Sequence, residues 1–156
     1  FEKNKNWDLL ILGDGPDKEK CLKMITKNHL KDRFHFLGYK KQKELKNYYG
    51  VSDIYVLTSI YDNFPNSVLE AMAMSLPVIA SNTGGLKQQV KNGKSGYLFN
   101  IDDKNDLKIK LLKLMKNSKL RAKFGNSGNK TILNKFDWSK STKLFLNHVK
   151  TNFYEK

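Results

Sequence analysis

The sequence predicts an α/β fold, a doubly wound parallel sheet of about five strands flanked by helices. Three observations carry this. Short, nearly all-apolar runs alternate with amphipathic segments of helical length, which is how strands covered on both faces read. The runs end in turn clusters rich in Gly, Asp, Asn and Pro. The chain has 156 residues, 39% hydrophobic and 12% aromatic, enough for one real core and too apolar for a disordered tail.

Leu9-Leu10-Ile11-Leu12 is a buried-strand run closed by the turn cluster Gly13-Asp14-Gly15-Pro16. From Asp17 to about Leu30, Cys21, Leu22, Met24 and Ile25 recur at helical spacing among lysines. Phe34 to Leu37, before Gly38, forms a second strand, and Lys41 to Tyr49 a short helix with Leu45, Tyr48 and Tyr49 on one side. Asp53 to Thr58 is the third strand. A helix rich in Ala and Met runs from Asn66, its N-cap, to Ser75. Leu76-Pro77-Val78-Ile79-Ala80 is the fourth strand, with proline at its start, where a missing N–H is tolerated. A helix from about Thr83 to Lys91, a Gly93-x-x-Gly96 turn and the strand Tyr97-Leu98-Phe99 follow. Lysine-rich helices over 103–117, 118–134 and from Asp137 to about Tyr154 finish the chain, the tandem Asp102-Asp103 capping the first of them. No internal repeat and no Pro/Gly/Ser linker interrupts it, so 1–156 reads as a single domain. It starts at Phe1, close to a strand, and reads as a piece of a longer protein.

Composition removes several classes. Twenty-nine basic and fifteen acidic side chains give a net charge of +14, which invites nucleic acid or an anionic membrane. Only Arg33 and Arg121 are arginines, however, and readers of phosphates and bases favour the planar guanidinium fork. The lysine excess is diffuse, and the aromatics fall in strands and core helices instead of interleaving with arginines. A nucleic-acid-binding module is therefore the alternative reading, and no nucleic acid partner is expected. A lone Cys21 makes no internal disulfide, and His29, His35 and His148 show no ligand spacing, so no metal site is expected. No apolar run approaches a membrane span, and the start is not a signal peptide.

In parallel sheets, ligands bind beyond the carboxyl ends of the strands. The turn at residues 13–17 has two glycines, but Lys18 stands where the dinucleotide fingerprint needs a third, and no phosphate-loop lysine follows. A tight turn with Asp17 near the helix start is the simpler reading, and it weakens the second alternative, another nucleotide-dependent α/β enzyme. The loop after the third strand is richer. It carries Asp62, and Glu70 stands eight positions later, about one turn inside the next helix. Carboxylates accept bidentately from vicinal sugar hydroxyls, and a helix N-terminus offers N–H donors to a hydroxyl-rich or anionic ligand. Ser67-Val68-Leu69-Glu70 also matches the capping-box pattern, under which Glu70 only completes the helix start. From the residues alone both readings stand.

The string from Asp62-Asn63-Phe64-Pro65-Asn66 through Leu69-Glu70-Ala71-Met72-Ala73, then Leu76 to Ser81 and Gly84-Gly85, resembles the donor-binding half of retaining GT-B glycosyltransferases, most closely family 4. Leu12 to Pro16, Phe36-Leu37-Gly38-Tyr39, Val90-x-x-Gly93-x-x-Gly96 and Phe136-x-Trp138 extend the likeness over nearly the whole chain. The resemblance implies a Rossmann-like half of a GT-B fold. It also implies an enzyme that moves a sugar from a nucleotide diphosphate sugar to a glycan or lipid-linked hydroxyl acceptor, with retention, in polysaccharide or lipid-linked glycan synthesis. No cofactor or metal is implied. Asp62 matches the acid that contacts the transferred sugar, Glu70 the acid that holds the ribose hydroxyls, Phe64, Pro65 and Asn66 the backbone facing the sugar, and Tyr39 and Lys40 the flank of the base. Departures are Asp62 where glutamate is usual, Ser75 where glycine is common, and Gln88 where glutamate often follows the glycine pair. The family's basic phosphate-gripping pair falls before Phe1 and its acceptor domain outside the chain, so this chain alone is expected to bind donor weakly and to transfer nothing. The last helix, about 137–153, with Trp138, Leu144, Phe145, Val149 and Phe153, is implied to cross back to the acceptor domain; packing on this domain's own sheet is the alternative. A cytoplasmic protein is implied, peripheral at the inner face of the plasma membrane. Lys108, Lys110, Lys113 and Lys116 would then give weak contact with an anionic leaflet, each near-surface lysine contributing ~1 kcal/mol; they form no compact cluster, and a simply solvated face is the alternative.

Overall fold

The structure, a computed structural model, describes residues 6–136 and residue 142. The expected last helix, with Trp138, Leu144, Phe145, Val149 and Phe153, lies outside the described residues except for Thr142. Five parallel strands and their helices follow the expected order, in two compact units, Phe1–Asn47 and Tyr48–Lys156.

In the first unit, β1 (Leu9–Leu12) pairs in parallel with β2 (Phe34–Gly38), Leu9 opposite Phe34, with a register shift between Ile11 and Leu12. The connection is α1 (Lys18–Lys27) and a single 3-10 turn, Lys31–Arg33, which periodicity did not predict. Of the apolar residues of α1 only Ile25 is buried; Cys21, Leu22 and Met24 are exposed. The helix ends in a Schellman motif. His29 takes φ +53, its N–H donates to Thr26 O, and the Leu30 N–H donates to Ile25 O. Asp14 accepts from Gly15 N at 2.9 Å and from Lys18 Nζ at 3.2 Å, and these bonds hold its carboxyl below the usual range. The 13–17 turn is thus closed on its own side chains, as the simpler reading expects. Arg33 donates to the Trp7 carbonyl.

Helix α2 (Gln42–Gly50) leads into the second unit, where β3 (Tyr55–Leu57), β4 (Val78–Ser81) and β5 (Gly96–Phe99) form a parallel sheet in sequential order. The alternation of β4 shows why both faces need helices. Val78 and Ala80 pack with Val68, Ala71 and Met72 of α3 (Asn66–Ala73) and with Leu86 of α4 (Leu86–Gln89). Ile79 points to the other face, onto Leu114 of α5 (Lys104–Met115) and Phe124 of α6 (Ser118–Lys135). All four β4 residues are buried, so the central strand reads as the apolar run Val78-Ile79-Ala80 closed by a buried Ser81.

Asp103 caps α5, accepting from Asn105 N and Asp106 N, as its sequence position predicts. The predicted cap of α3 shifts by one residue. Pro65, extended at φ −66 and ψ 123, is the N-cap, and Asn66 is the first helical residue with no side-chain cap bond. Proline pre-sets the entry torsion and its carbonyl accepts from Val68 N, so no Asn66 side chain is needed. At the other end, Ser75 sits at φ +59 while Ser75 N donates to Met72 O and Leu76 N to Ala71 O, a Schellman motif with serine at the usual glycine position. Helix α6 crosses that turn through Gly125, where a Cβ would lie 1.9 Å from Ser75 O.

Candidate functional site

The loop over residues 58–65 leaves the carboxyl end of β3 and feeds α3. Its shape is set from behind by the residues after β4. Gly85 N donates to Asp62 O at 3.1 Å, and Gly84 holds φ +48. A Cβ at Gly84 would stand 2.1 Å from Asp62 O, and one at Gly85 would stand 1.5 Å from Asn63 O. The glycine pair therefore lets two backbones touch where any side chain would wedge them apart. Two more bonds complete the brace. Ser81 Oγ donates to Ser59 O at 2.5 Å, and Gln89 Nε2 donates to Pro65 O at 3.1 Å, so α4 anchors the N-cap of α3. Gln89 is fully buried. Sequence reasoning weighed Gln88 instead, which is exposed.

The charges of both acids are felt at one phenol. Burial pushes the Tyr55 phenol above its ordinary value; a Ser67 hydroxyl bond works the other way, and the negative charges of Glu70 and Asp62 push it further up. Tyr55 is therefore within electrostatic reach of the loop acid and the helix acid together. Glu70 Oε2 also accepts from Tyr49 Oη at 3.0 Å, while Tyr49 Oη lies 3.4 Å from Ser67 O. Burial, then the bond to Glu70, hold the Tyr49 phenol far above the usual tyrosine range.

The capping-box alternative for Glu70 is not realised. It needs Ser67 at the N-cap, but the N-cap is Pro65, which puts Ser67 inside the helix and Glu70 in its second turn. Glu70 bonds the Tyr49 hydroxyl instead of a helix-start N–H. The rest of the expected donor-facing stretch is open to solvent in part: Phe64 is 40% exposed, Asn66 is exposed, and Pro65 is half-buried. The Phe64 ring meets Phe136 edge-on, with centroids 5.5 Å apart. In the first unit, Tyr39 and Lys40 directly follow β2; Tyr39 is 82% exposed and Lys40 half-buried. Gly38, at φ +66, gives its carbonyl to Gly13 N at 2.9 Å and so turns the chain out at that point.

The amino ends of β3 and β4 hold a different feature, a shallow pocket of about 420 Å³ lined by Tyr49, Asp53, Ser75, Pro77 and Arg121 among others. Arg121 is engaged there with Asp53 Oδ1 at 3.2 Å and with the Leu114 and Met115 carbonyls that end α5. Its role is to lock two elements together. Among the described residues, no group of three or more His, Cys, Asp or Glu side chains is placed to hold a metal ion, and no helix is long and apolar enough to cross a membrane.

A sequence model described as glycosyl transferases group 1 matches residues 1–131. The chain belongs to that family. Among curated relatives, the N-acetyl-alpha-D-glucosaminyl L-malate synthase of Bacillus anthracis is 30% identical over 128 residues, covering 82% of this chain and 33% of that protein. Among solved structures, the C-terminal domain of a glycosyl transferase group 1 family protein from Francisella tularensis superposes with a TM-score of 0.80 at 26% identity, covering 88% of this chain and 73% of that one. A mutant of TarM from Staphylococcus aureus, solved with fondaparinux, alpha-GlcNAc-glycerol and UDP, gives a TM-score of 0.78 at 28% identity, covering 90% of this chain and 28% of that one. The chain spans about a third of the length of the curated relatives it matches. Its fold is that of the C-terminal domain of glycosyltransferases of this family.

Two residues of the site escaped sequence reasoning. Tyr49 reads as one more apolar position of a short helix, and Gln89 as a polar residue in a polar turn. The available signal for each was a polar atom carried on a face that had to be buried.

Proposed function

We propose that this chain supplies the donor-binding half of a retaining glycosyltransferase, which moves a sugar from a nucleotide diphosphate sugar to a hydroxyl acceptor in polysaccharide or lipid-linked glycan synthesis. The observation that supports it best is the loop after β3, which carries Asp62, is braced by Gly84 and Gly85 and leads into the helix that carries Glu70. The Glu70 carboxylate accepts from the ribose hydroxyls and Asp62 contacts the transferred sugar, with the backbone of Phe64, Pro65 and Asn66 facing that sugar's hydroxyls. Tyr39 and Lys40 flank the base. As the glycosidic bond breaks, charge develops on the diphosphate, and preorganised basic side chains and N–H donors stabilise it there. The acceptor is bound by the family's other domain.

The Staphylococcus relative with UDP and alpha-GlcNAc-glycerol makes a uridine diphosphate sugar the first donor to try. The reading extends to a cytoplasmic protein, peripheral at the inner face of the plasma membrane, where the exposed Lys108 and Lys113 of α5 and Lys116 at its C-cap meet anionic lipid weakly, while Lys110 is held by Asp106 and the Leu98 carbonyl. The test is donor turnover by the full-length protein against a panel of UDP-, GDP- and ADP-sugars, with the anomeric configuration of the product read by proton NMR. Turnover of one donor with a retained anomeric centre, lost in Glu70→Gln, supports the reading. An inverted product removes retention, and no turnover or binding of any nucleotide sugar removes the whole proposal.

A further inference from the structure

We infer that Tyr49 is a positioning residue for the ribose grip: its hydroxyl ties down one oxygen of Glu70 and leaves the other to accept a ribose hydroxyl, so that the preference for ribose over deoxyribose depends on it. The inference deepens the reading above and rests on it.

A glutamate needs help to act as a selective acceptor. Its terminal torsion is broad and two-fold, so an unrestrained carboxylate rotates and presents its oxygens in many directions. Holding it from scratch in each complex costs side-chain entropy. Tyr49 removes that freedom. Its Oη donates to Glu70 Oε2 at 3.0 Å, and among the described residues nothing else bonds that carboxylate. The phenol is itself held: its ring meets Tyr55 with centroids 5.9 Å apart and a 57° tilt, and it packs against the core that contains Val68, Ala71 and Met72. Three elements thus fix one acid, α2 through Tyr49, β3 through Tyr55, and α3 through Glu70 itself.

The hydroxyl has one proton and two acceptors in range. Ser67 O lies at 3.4 Å and Glu70 Oε2 at 3.0 Å, and Ser67 and Glu70 are three apart, on the same face of α3. The shorter bond goes to a charged acceptor and takes the proton. A tyrosine present only for packing would leave no dependence of ligand choice on its oxygen, since phenylalanine fills the same space.

The test measures, on the full-length protein, the affinity for UDP and for its 2′-deoxy and 3′-deoxy forms, with GDP and ADP series in parallel, for wild type, Tyr49→Phe and Glu70→Gln. The readout is the ratio of deoxy to ribo dissociation constants within one protein sample. A smaller folded fraction scales both constants alike and leaves the ratio untouched, so a destabilised variant remains informative. Wild type is expected to prefer the ribo form, Tyr49→Phe to lose about fivefold or more of that preference, and Glu70→Gln to lose it entirely. In turnover the Tyr49→Phe defect falls on KM for the nucleotide sugar more than on kcat. If Tyr49→Phe keeps the wild-type ratio while Glu70→Gln loses it, Tyr49 is not a positioning residue and the ribose reading of Glu70 stands. If wild type shows no preference, or Glu70→Gln keeps it, the ribose reading falls and this inference with it.

Discussion

Replacing Gly85 with alanine separates the job of the loop from the job of the core. The new Cβ would begin 1.5 Å from Asn63 O, where ordinary contact starts near 3.4 Å, so the loop backbone has to retreat by close to 2 Å. The retreat breaks the Gly85 N to Asp62 O bond. Overpacking of this kind costs about 1–3 kcal/mol and the lost bond about 1 kcal/mol more. The functional cost is larger, because the residues displaced are those expected to face the transferred sugar, and a shift of about 1 Å can cost 10²-fold in rate. Gly125→Ala is the matched control. Its Cβ would meet Ser75 O at 1.9 Å, a clash of similar severity where α6 crosses the end of α3. Urea denaturation of both variants, with nucleotide-sugar affinity and turnover measured on the full-length protein, gives the comparison. Both are expected to lose stability by similar amounts, and only Gly85→Ala to lose affinity or kcat beyond its loss of folded protein. Equal functional losses in the two, or wild-type function in Gly85→Ala, would refute the idea that the glycine pair shapes the site.

Ser75→Gly should stabilise the protein by about 0.5–1 kcal/mol, since Ser75 carries a Cβ at φ +59 in a Schellman turn; a denaturation midpoint that fails to rise refutes it. Gln89→Glu places a buried carboxylate against the Pro65 carbonyl, and should cost about 2–3 kcal/mol at neutral pH. Part of that loss should return on acidification, as the protonated carboxyl again donates; a pH-independent difference from wild type in thermal unfolding would contradict the contact. Tyr49 and Tyr55 keep their protons in the folded state above the pH, near 10, where unfolded tyrosine ionises. Their contribution is therefore intact below about pH 10 and is lost as pH rises further, and the alkaline fall in stability should be shallower in Tyr49→Phe.

The strands were legible as short apolar runs: Val78 to Ala80 is buried on both faces, while Leu9 to Leu12 pairs as expected although it is only partly buried and Leu12 is exposed. Helix ends were less so. Asn66 is the better cap by chemistry, yet the torsion that proline imposes at residue 65 starts the helix one residue earlier. The helix expected from Thr83 to Lys91 contracts to Leu86–Gln89, because Gly84 takes a positive φ and Val90 turns extended into the next strand. The loop and helix that carry the candidate acids were legible as a family string running from Asp62 through Glu70, with the glycine pair behind it. Tyr49 and Gln89 were not. Their polar atoms matter only because the fold brings Glu70 and the Pro65 carbonyl to them from 21 and 24 residues away, and no local pattern encodes that.

The most direct check on the central claim is calorimetric titration of the full-length protein with a nucleoside diphosphate and with the corresponding nucleotide sugar, in wild type, Glu70→Gln and Asp62→Asn. Glu70→Gln should weaken both ligands by about tenfold or more, while Asp62→Asn should weaken only the one that carries the sugar. Unchanged affinities for both ligands in both variants would contradict the assignment of these acids to the two halves of a sugar donor.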